Sequence, residues 1–215
     1  MQACPDTPNA DLRARWQDLA DTLGKHEAWP ALGVDLLASW AQPARQYHNL
    51  THLQHVLDRV NEVADHAEDP RAVRLAAWYH DAAYEGAPDD EERSAQRAQT
   101  ELIAVGLDPA LVAEVARLVR LTTHHNPAAG DRNGEALCDA DLAILAAPAT
   151  DYAAYTRAVR AEYAHVDDDA FRAGRAAVLQ SLLDLPTLFR TPLGCTTWEP
   201  LARANLSAEL EILEA

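Results

Sequence analysis

Twice in this chain an aspartate stands directly before a proline and opens a stretch of apolar residues at helical spacing. Asp69-Pro70 leads through Leu75 and Trp78, and Asp108-Pro109 leads through Leu111, Val115, Leu118 and Val119. An aspartate side chain accepts from the unpaired N–H groups of a first helical turn, and proline fits that turn because it has no N–H to lose. The same punctuation recurs along the chain. Asn9 or Asp11 is suited to start a helix that Gly24 ends, Pro30 a second that stops before Pro43, and Asp167 one carrying Phe171, Val178, Leu179 and Leu182. Leu53, Val56, Leu57, Val60 and Val63 keep a helical stripe, as do Tyr152, Tyr155, Val159 and Tyr163. Residues 135–146 read as a short helix after a loop-like stretch to Gly134, and Pro200 starts a last helix through Leu206 and Leu210. The chain is 48% hydrophobic with only eight glycines, and its β-branched and aromatic residues are too thinly spread for a large sheet. The expected class is all-α, a bundle of about nine or ten helices. Its 215 residues suit a single domain over 1–215, with the core at roughly 44–184 and flanking helices at both ends.

A formal charge of −16 and a pI near 4.8 argue against binding to nucleic acid duplexes or anionic membranes, which need a basic surface. A phosphate-bearing ligand would have to be drawn in locally, by a bound cation and a few arginines. Cys4, Cys138 and Cys195 are odd in number and widely spaced, so free thiols and a reducing compartment are expected. With no basic, apolar leader and no long apolar run, the expected location is the cytoplasm.

Four metal-type side chains stand apart in sequence: His52, the adjacent pair His80-Asp81, and Asp141. Helical bundles gather such residues from facing helices. His52 borders the stripe of its helix and can point inward. His48 lies at i, i+4 from it and shares its side if the helix begins by His48. His80-Asp81 follows the apolar run from Leu75 to Tyr79, where burial without a metal or a hydrogen-bonded partner is costly. Asp139 and Asp141 are rotated by about 200° from one another on a helix, so they face apart. Asp141 has Leu137, Ile144 and Leu145 on its side and is the expected ligand, with Asp139 in its place if the helix starts later. Glu91 and Ser94 are suited to support a water, or to be an ordinary acidic first turn, and His55 to stand behind the ligands or to face solvent.

The segments Arg45-Gln46-Tyr47-His48-Asn49-Leu50, His80-Asp81-Ala82-Ala83-Tyr84, Glu91-Glu92-Arg93-Ser94-Ala95 and Asp139-Ala140-Asp141-Leu142, with Tyr152, Tyr155, Arg160 and Tyr163, resemble a bacterial group of HD-superfamily phosphohydrolases. Where that group is expected to carry Asn before Glu91, this chain has Asp90. Tyr-His-Asn-x-x-His at 47–52 also resembles the start of the catalytic domain of cyclic-nucleotide phosphodiesterases. The resemblance implies a helical bundle of the HD-domain type that hydrolyses a phosphoester of a nucleotide or related small phosphate. It implies metal ligation by His52, His80, Asp81 and Asp141, with Asp81 also orienting the attacking water and His48 giving a proton to the leaving oxygen. One or two divalent ions are expected, of Mn, Fe, Co, Ni, Zn or Mg. His124 and His125 occupy the interval where two-metal members carry further histidines, and His124 is a candidate second-metal or phosphate contact. Arg45 and, less strongly, Arg160 and Arg175 are candidate phosphate clamps. The alternatives are an HD-fold di-iron oxygenase and a non-catalytic nucleotide or metal sensor. The oligomeric state is left open.

Overall fold

The computed structural model describes residues 7–214, which form ten α-helices and no strand. They are α1 (Thr7–Leu23), α2 (Trp29–Trp40), α3 (Leu50–Glu62), α4 (Pro70–Tyr79), α5 (Asp90–Ala104), α6 (Pro109–Leu121), α7 (Arg132–Leu142), α8 (Ala149–Glu162), α9 (Asp168–Leu183) and α10 (Glu199–Glu214). A 3-10 turn (Ala143–Ala146) follows α7, and a π-helical turn (Gly194–Trp198) leads into α10. Cys4 lies outside the described residues, while Cys138 and Cys195 are free. No helix of the described residues is long and apolar enough to cross a membrane.

The caps act as the sequence suggests. Asp69 accepts from Arg71 N at 3.0 Å and Asp108 from Ala110 N at 2.7 Å, each with proline in the first turn. Asp167 accepts from Ala170 N at 3.0 Å. Gly24 ends α1 with φ +115°, a conformation that favours glycine.

The starts of α1 and α7 differ from expectation, and that of α3 decides where His48 stands. Helix α1 already includes Thr7, the first described residue, so Asn9 and Asp11 lie inside it. Helix α3 begins at Leu50, capped by Asn49 whose side chain accepts from Thr51 N at 2.9 Å, so His48 stands before the helix. Helix α7 begins at Arg132 because Asp131 caps it, accepting from Gly134 N at 3.0 Å. Gly134 marks close packing there, since a Cβ would lie 2.4 Å from Asp131 Oδ2 and 2.7 Å from a Leu121 methyl.

The arrangement is centred on α4, which packs against α1, α3, α5, α6 and α7. That surrounding explains why α4 is apolar on nearly every side, with Ala72, Val73 and every residue from Leu75 to Tyr79 buried. Its C-terminal end carries His80 and Asp81 straight out of the most buried helix. Indole N–H groups bind the layers together: Trp40 Nε1 donates to Trp78 O at 3.0 Å, Trp16 Nε1 to Trp29 O at 2.8 Å and Trp29 Nε1 to Gly24 O at 2.8 Å. Helices α8 and α9 differ from the rest. Among their residues only Tyr152 and Leu179 are buried, although both helices carry several further apolar side chains.

Helix α2 is held against α1 by a glycine. A Cβ at Gly33 would sit 2.3 Å from Trp16 Cδ1, and Trp16 is itself wedged edge-on against Trp29 and Trp78 at 5.8 and 5.2 Å. Gly33→Ala is expected to lose about 1–3 kcal/mol of stability through overpacking, despite alanine's better helix propensity. Urea unfolding would show it as a lower midpoint at unchanged slope.

Candidate metal centre

The end of α4, the first turn of α3 and the last turn of α7 meet at one point. His52 is the third residue of α3, on its buried face beside Leu53 and Val56. His80 caps the C-terminus of α4, Asp81 follows it, and Asp141 sits near the end of α7. His52 Nε2 lies 3.2 Å from His80 Nε2 and 3.2 Å from Asp141 Oδ1. Asp81 Oδ2 is 3.3 Å from His80 Nε2 and 3.8 Å from His52 Nε2, and Asp141 Oδ1 is 3.6 Å from His80 Nε2.

These donors fit a metal ion. Bonds of about 2.0–2.2 Å to nitrogen and oxygen put neighbouring ligand atoms roughly 3.0–3.6 Å apart in tetrahedral or octahedral arrangements, close to what is found. The cluster His52, His80 and Asp81 by itself could hold an ion, and the Asp141 oxygen turns to the same point. His80 Nδ1 donates to Ala77 O at 2.8 Å, which leaves Nε2 with its lone pair toward the cluster. Charge leads to the same conclusion. Two carboxylates only 13% and 12% exposed bring two negative charges into a largely buried site, and among the described residues no arginine or lysine nitrogen lies within ion-pair distance of either. Without an ion a proton has to compensate. Burial pushes His80 down, but Asp81 and Asp141 outweigh it and hold its pKa well above the ordinary value. Burial pushes both carboxyls up, and the facing histidines, His80 foremost, hold both below the usual range. Burial lowers the His52 pKa and so favours the neutral ring that ligation requires.

Asp139 has a different task. It turns away from the cluster and accepts from Arg190 N at 2.9 Å and Thr191 N at 2.7 Å, fixing the segment after α9. Gly194 presses against it, since a Cβ there would lie 2.5 Å from Asp139 Oδ2.

Beside the cluster, His48 Nδ1 bonds Glu162 Oε1, at the end of α8. The same carboxylate accepts from Tyr84 OH at 2.7 Å and from the backbone N–H groups of Gln46, Tyr47 and His48 at 2.8, 2.8 and 3.2 Å. Burial would raise the Glu162 pKa, but these donors, His48 first, hold it at about 2. A carboxylate on Nδ1 leaves Nε2 as the free edge of the His48 ring, which stacks on Tyr84 at 4.2 Å. Burial disfavours charge on His48, yet Asp81, Glu162 and Asp141 prevail and raise its pKa above the ordinary value.

Glu162 was not among the residues expected at the site. Its signal was present: it continues the α8 stripe of Tyr152, Tyr155 and Val159, three residues beyond Val159, as an acid on an apolar face.

Three expected substrate contacts are placed elsewhere. Arg45 is buried, donating to His48 O at 3.2 Å, Asp81 O at 2.7 Å and Ala82 O at 3.3 Å between the rings of Trp40 and Tyr84. Its two terminal nitrogens are committed to backbone carbonyls and position the two segments bearing His48 and Asp81. Arg160 faces the other way, bonding Asp168 Oδ1 at 2.6 Å and the carbonyls of Tyr163 and Val166. His124 is exposed, and its neighbour His125, at φ +46°, places Nε2 2.8 Å from Asp141 Oδ2. Arg175 is held by Glu209 at 2.7 and 3.0 Å and by Tyr155 OH at 3.2 Å. Ser94 Oγ clamps Ala83 N and O, Asp90 accepts from Glu85 N and Ala87 N, and together they fix the loop after Asp81.

Asp139→Ala is expected to cost about 2 kcal/mol or more, because buried N–H donors lose their partner, while the protein's capacity to take up metal is unchanged. Asp141→Ala is expected to do the reverse. Chemical unfolding and metal analysis after loading, run on both variants, separate the two aspartates. Compared with family models, with curated proteins and with solved structures, the chain matches none, so its function is read from the chemistry of this site.

Proposed function

We propose that the protein is a metal-dependent phosphohydrolase that cleaves a phosphoester of a nucleotide or related small phosphate. The observation that carries the reading is the convergence of His52, His80, Asp81 and Asp141 on one point, with the His48–Glu162 pair beside it. The resemblance of these segments to HD-superfamily enzymes supports it as well. A divalent ion held by the four ligands would supply Lewis-acid activation of water and of the phosphoryl oxygens. Mixed imidazole and carboxylate donors suit Mn, Fe, Co, Ni or Zn, and Mg at the hard end.

The chain's own residues supply the rest. In hydrolysis a water oxygen joins phosphorus as the water releases a proton, the bond from phosphorus to the ester oxygen breaks, and that oxygen takes up a proton from a donor that the released proton restores. His48 is built to give it. Glu162 fixes the ring through Nδ1 and leaves Nε2 free, and the carboxylates of Asp81, Glu162 and Asp141 favour the doubly protonated ring that has a proton to give from Nε2. Arg45 ties the backbone of His48 to that of Asp81, so the proton donor and the ligand pair keep their spacing. Asp81, at the rim, is suited to orient the attacking water.

One observation favours a second reading. Asp141 turns one oxygen to the cluster and the other to His125, an arrangement open to a second ion and to the chemistry of a di-iron oxygenase. Oxygen consumption by iron-loaded protein, without phosphate release, would select it.

Metal analysis followed by a screen of nucleotides and small phosphomonoesters with Mn, Co, Ni and Mg tests the proposal. Release of phosphate or nucleoside is expected, abolished by His80→Ala or Asp81→Ala; bound metal without turnover of any phosphoester would overturn it. His48→Ala is expected to keep its metal and lose about 10²–10⁴-fold in rate on alkyl esters, whose leaving oxygen needs a proton. On p-nitrophenyl esters, whose leaving group departs as an anion, the loss shrinks to a few-fold. An equal loss on both esters would remove His48 from the proton-donor role.

A further inference from the structure

We infer that the cleft between α8 and α9 is the pocket for the leaving part of the substrate, and that it takes a flat, uncharged group of nucleoside size. This rests on the hydrolase reading for its geometry, because His48 and Tyr47 form the floor of the cleft. A group released with a proton from His48 has to lie on the His48 side.

Three observations fix its chemistry. First, the walls are aromatic and aliphatic: Tyr155 and Val159 come from α8, Tyr163 directly follows it, and Phe171 and Val178 come from α9. Tyr163 and Val178 remain 39% and 49% exposed, although burial is what such side chains gain from folding. Rings of this kind stack on flat ligands whatever the ligand's polar edge. Second, apart from His48, which serves the leaving oxygen, no unpaired cation among the described residues lines the cleft: its one arginine, Arg175, is committed to Glu209 and to Tyr155 OH, so a second phosphate held away from His48 would find no partner there. Third, the space of about 460 Å³ is kept open by a glycine. Gly33 and Gly134 sit in helices where a Cβ would collide with a neighbour, but a Cβ at Gly174 would meet nothing within 4 Å. Glycine in a helix interior is unfavourable, and packing does not account for this one. It lines the cleft, where any larger side chain would enter the space a ligand needs.

Phenylphosphonate and methylphosphonate, which cannot be hydrolysed at phosphorus–oxygen ester bonds they lack, separate the cleft from catalysis. Calorimetric titration of the full-length, metal-loaded protein is expected to show phenylphosphonate binding at least ~10-fold more tightly than methylphosphonate. Gly174→Leu is expected to remove that preference while leaving methylphosphonate affinity unchanged, and Gly174→Ala to retain most of it. Tyr163→Ala, at an exposed position, is expected to weaken phenylphosphonate several-fold and serves if the leucine variant does not fold. Equal affinity for the two phosphonates, no phenylphosphonate binding at millimolar concentration, or a preference untouched by both Gly174→Leu and Tyr163→Ala would overturn the inference. A cleft that keeps its aryl preference in a protein that hydrolyses no phosphoester would instead count against the hydrolase reading alone.

Discussion

Two carboxylates that meet in a largely buried place need a positive partner, and much of this structure can be understood as meeting that need. Asp81 and Asp141 come from different helices, and their oxygens point at the same two imidazoles. Mutual repulsion would drive them apart unless an ion or a proton stood between them. The packing prevents their separation. Helix α4 is enclosed by five other helices, so the chain leaving it at His80 and Asp81 has little freedom to move. Arg45 fastens the Asp81 carbonyl, Ser94 and Asp90 fasten the loop beyond it, and His125 holds the outer oxygen of Asp141. A rigid cluster of this kind favours a bound cation, because the ligands do not have to be gathered when it arrives.

The surroundings divide the labour between rigid and open parts. Helices α1 to α7 supply a packed interior in which tryptophan N–H groups bond backbone carbonyls across layers. Helices α8 and α9 leave apolar side chains half-covered and enclose the cleft above His48. Glu162 joins the two parts. It sits at the end of α8, yet its oxygens are bonded by His48, by Tyr84 and by three consecutive backbone N–H groups before α3. One carboxylate thereby sets the tautomer of the histidine and ties the cleft wall to the rigid core. In a chain with a formal charge of −16, local arrangements of this sort have to do what a basic surface does elsewhere.

Much of the fold was legible in the sequence because its signals are local. Asp-Pro pairs, Asn and Asp caps and three-to-four spacing act within one helical turn, so they specify α4, α6 and α9 whatever packs on them. The misread boundary of α7 is equally local in origin: Asp131 caps Gly134 N, and glycine was read as a loop residue although it marks close packing with Leu121. The π-helical turn from Gly194 to Trp198 had no such signal, for it depends on Asp139 and Glu199 holding the backbone of residues 188–191.

By itself, then, the sequence determined an all-α chain, the helix faces, and the side chains His52, His80 and Asp81 suited to a metal, with Asp141 favoured over Asp139 as the fourth. Residue chemistry and helical period suffice for those. Only the tertiary structure decided the rest. It set Asp141 toward His52 while Asp139 took two backbone N–H groups, brought His125 and not His124 to the cluster, and assigned Arg45 to carbonyls. It also delivered Glu162 to His48 from the far end of α8. Each of these depends on how distant helices are rotated against one another, and that rotation follows from the packing of the whole core rather than from any single turn of it.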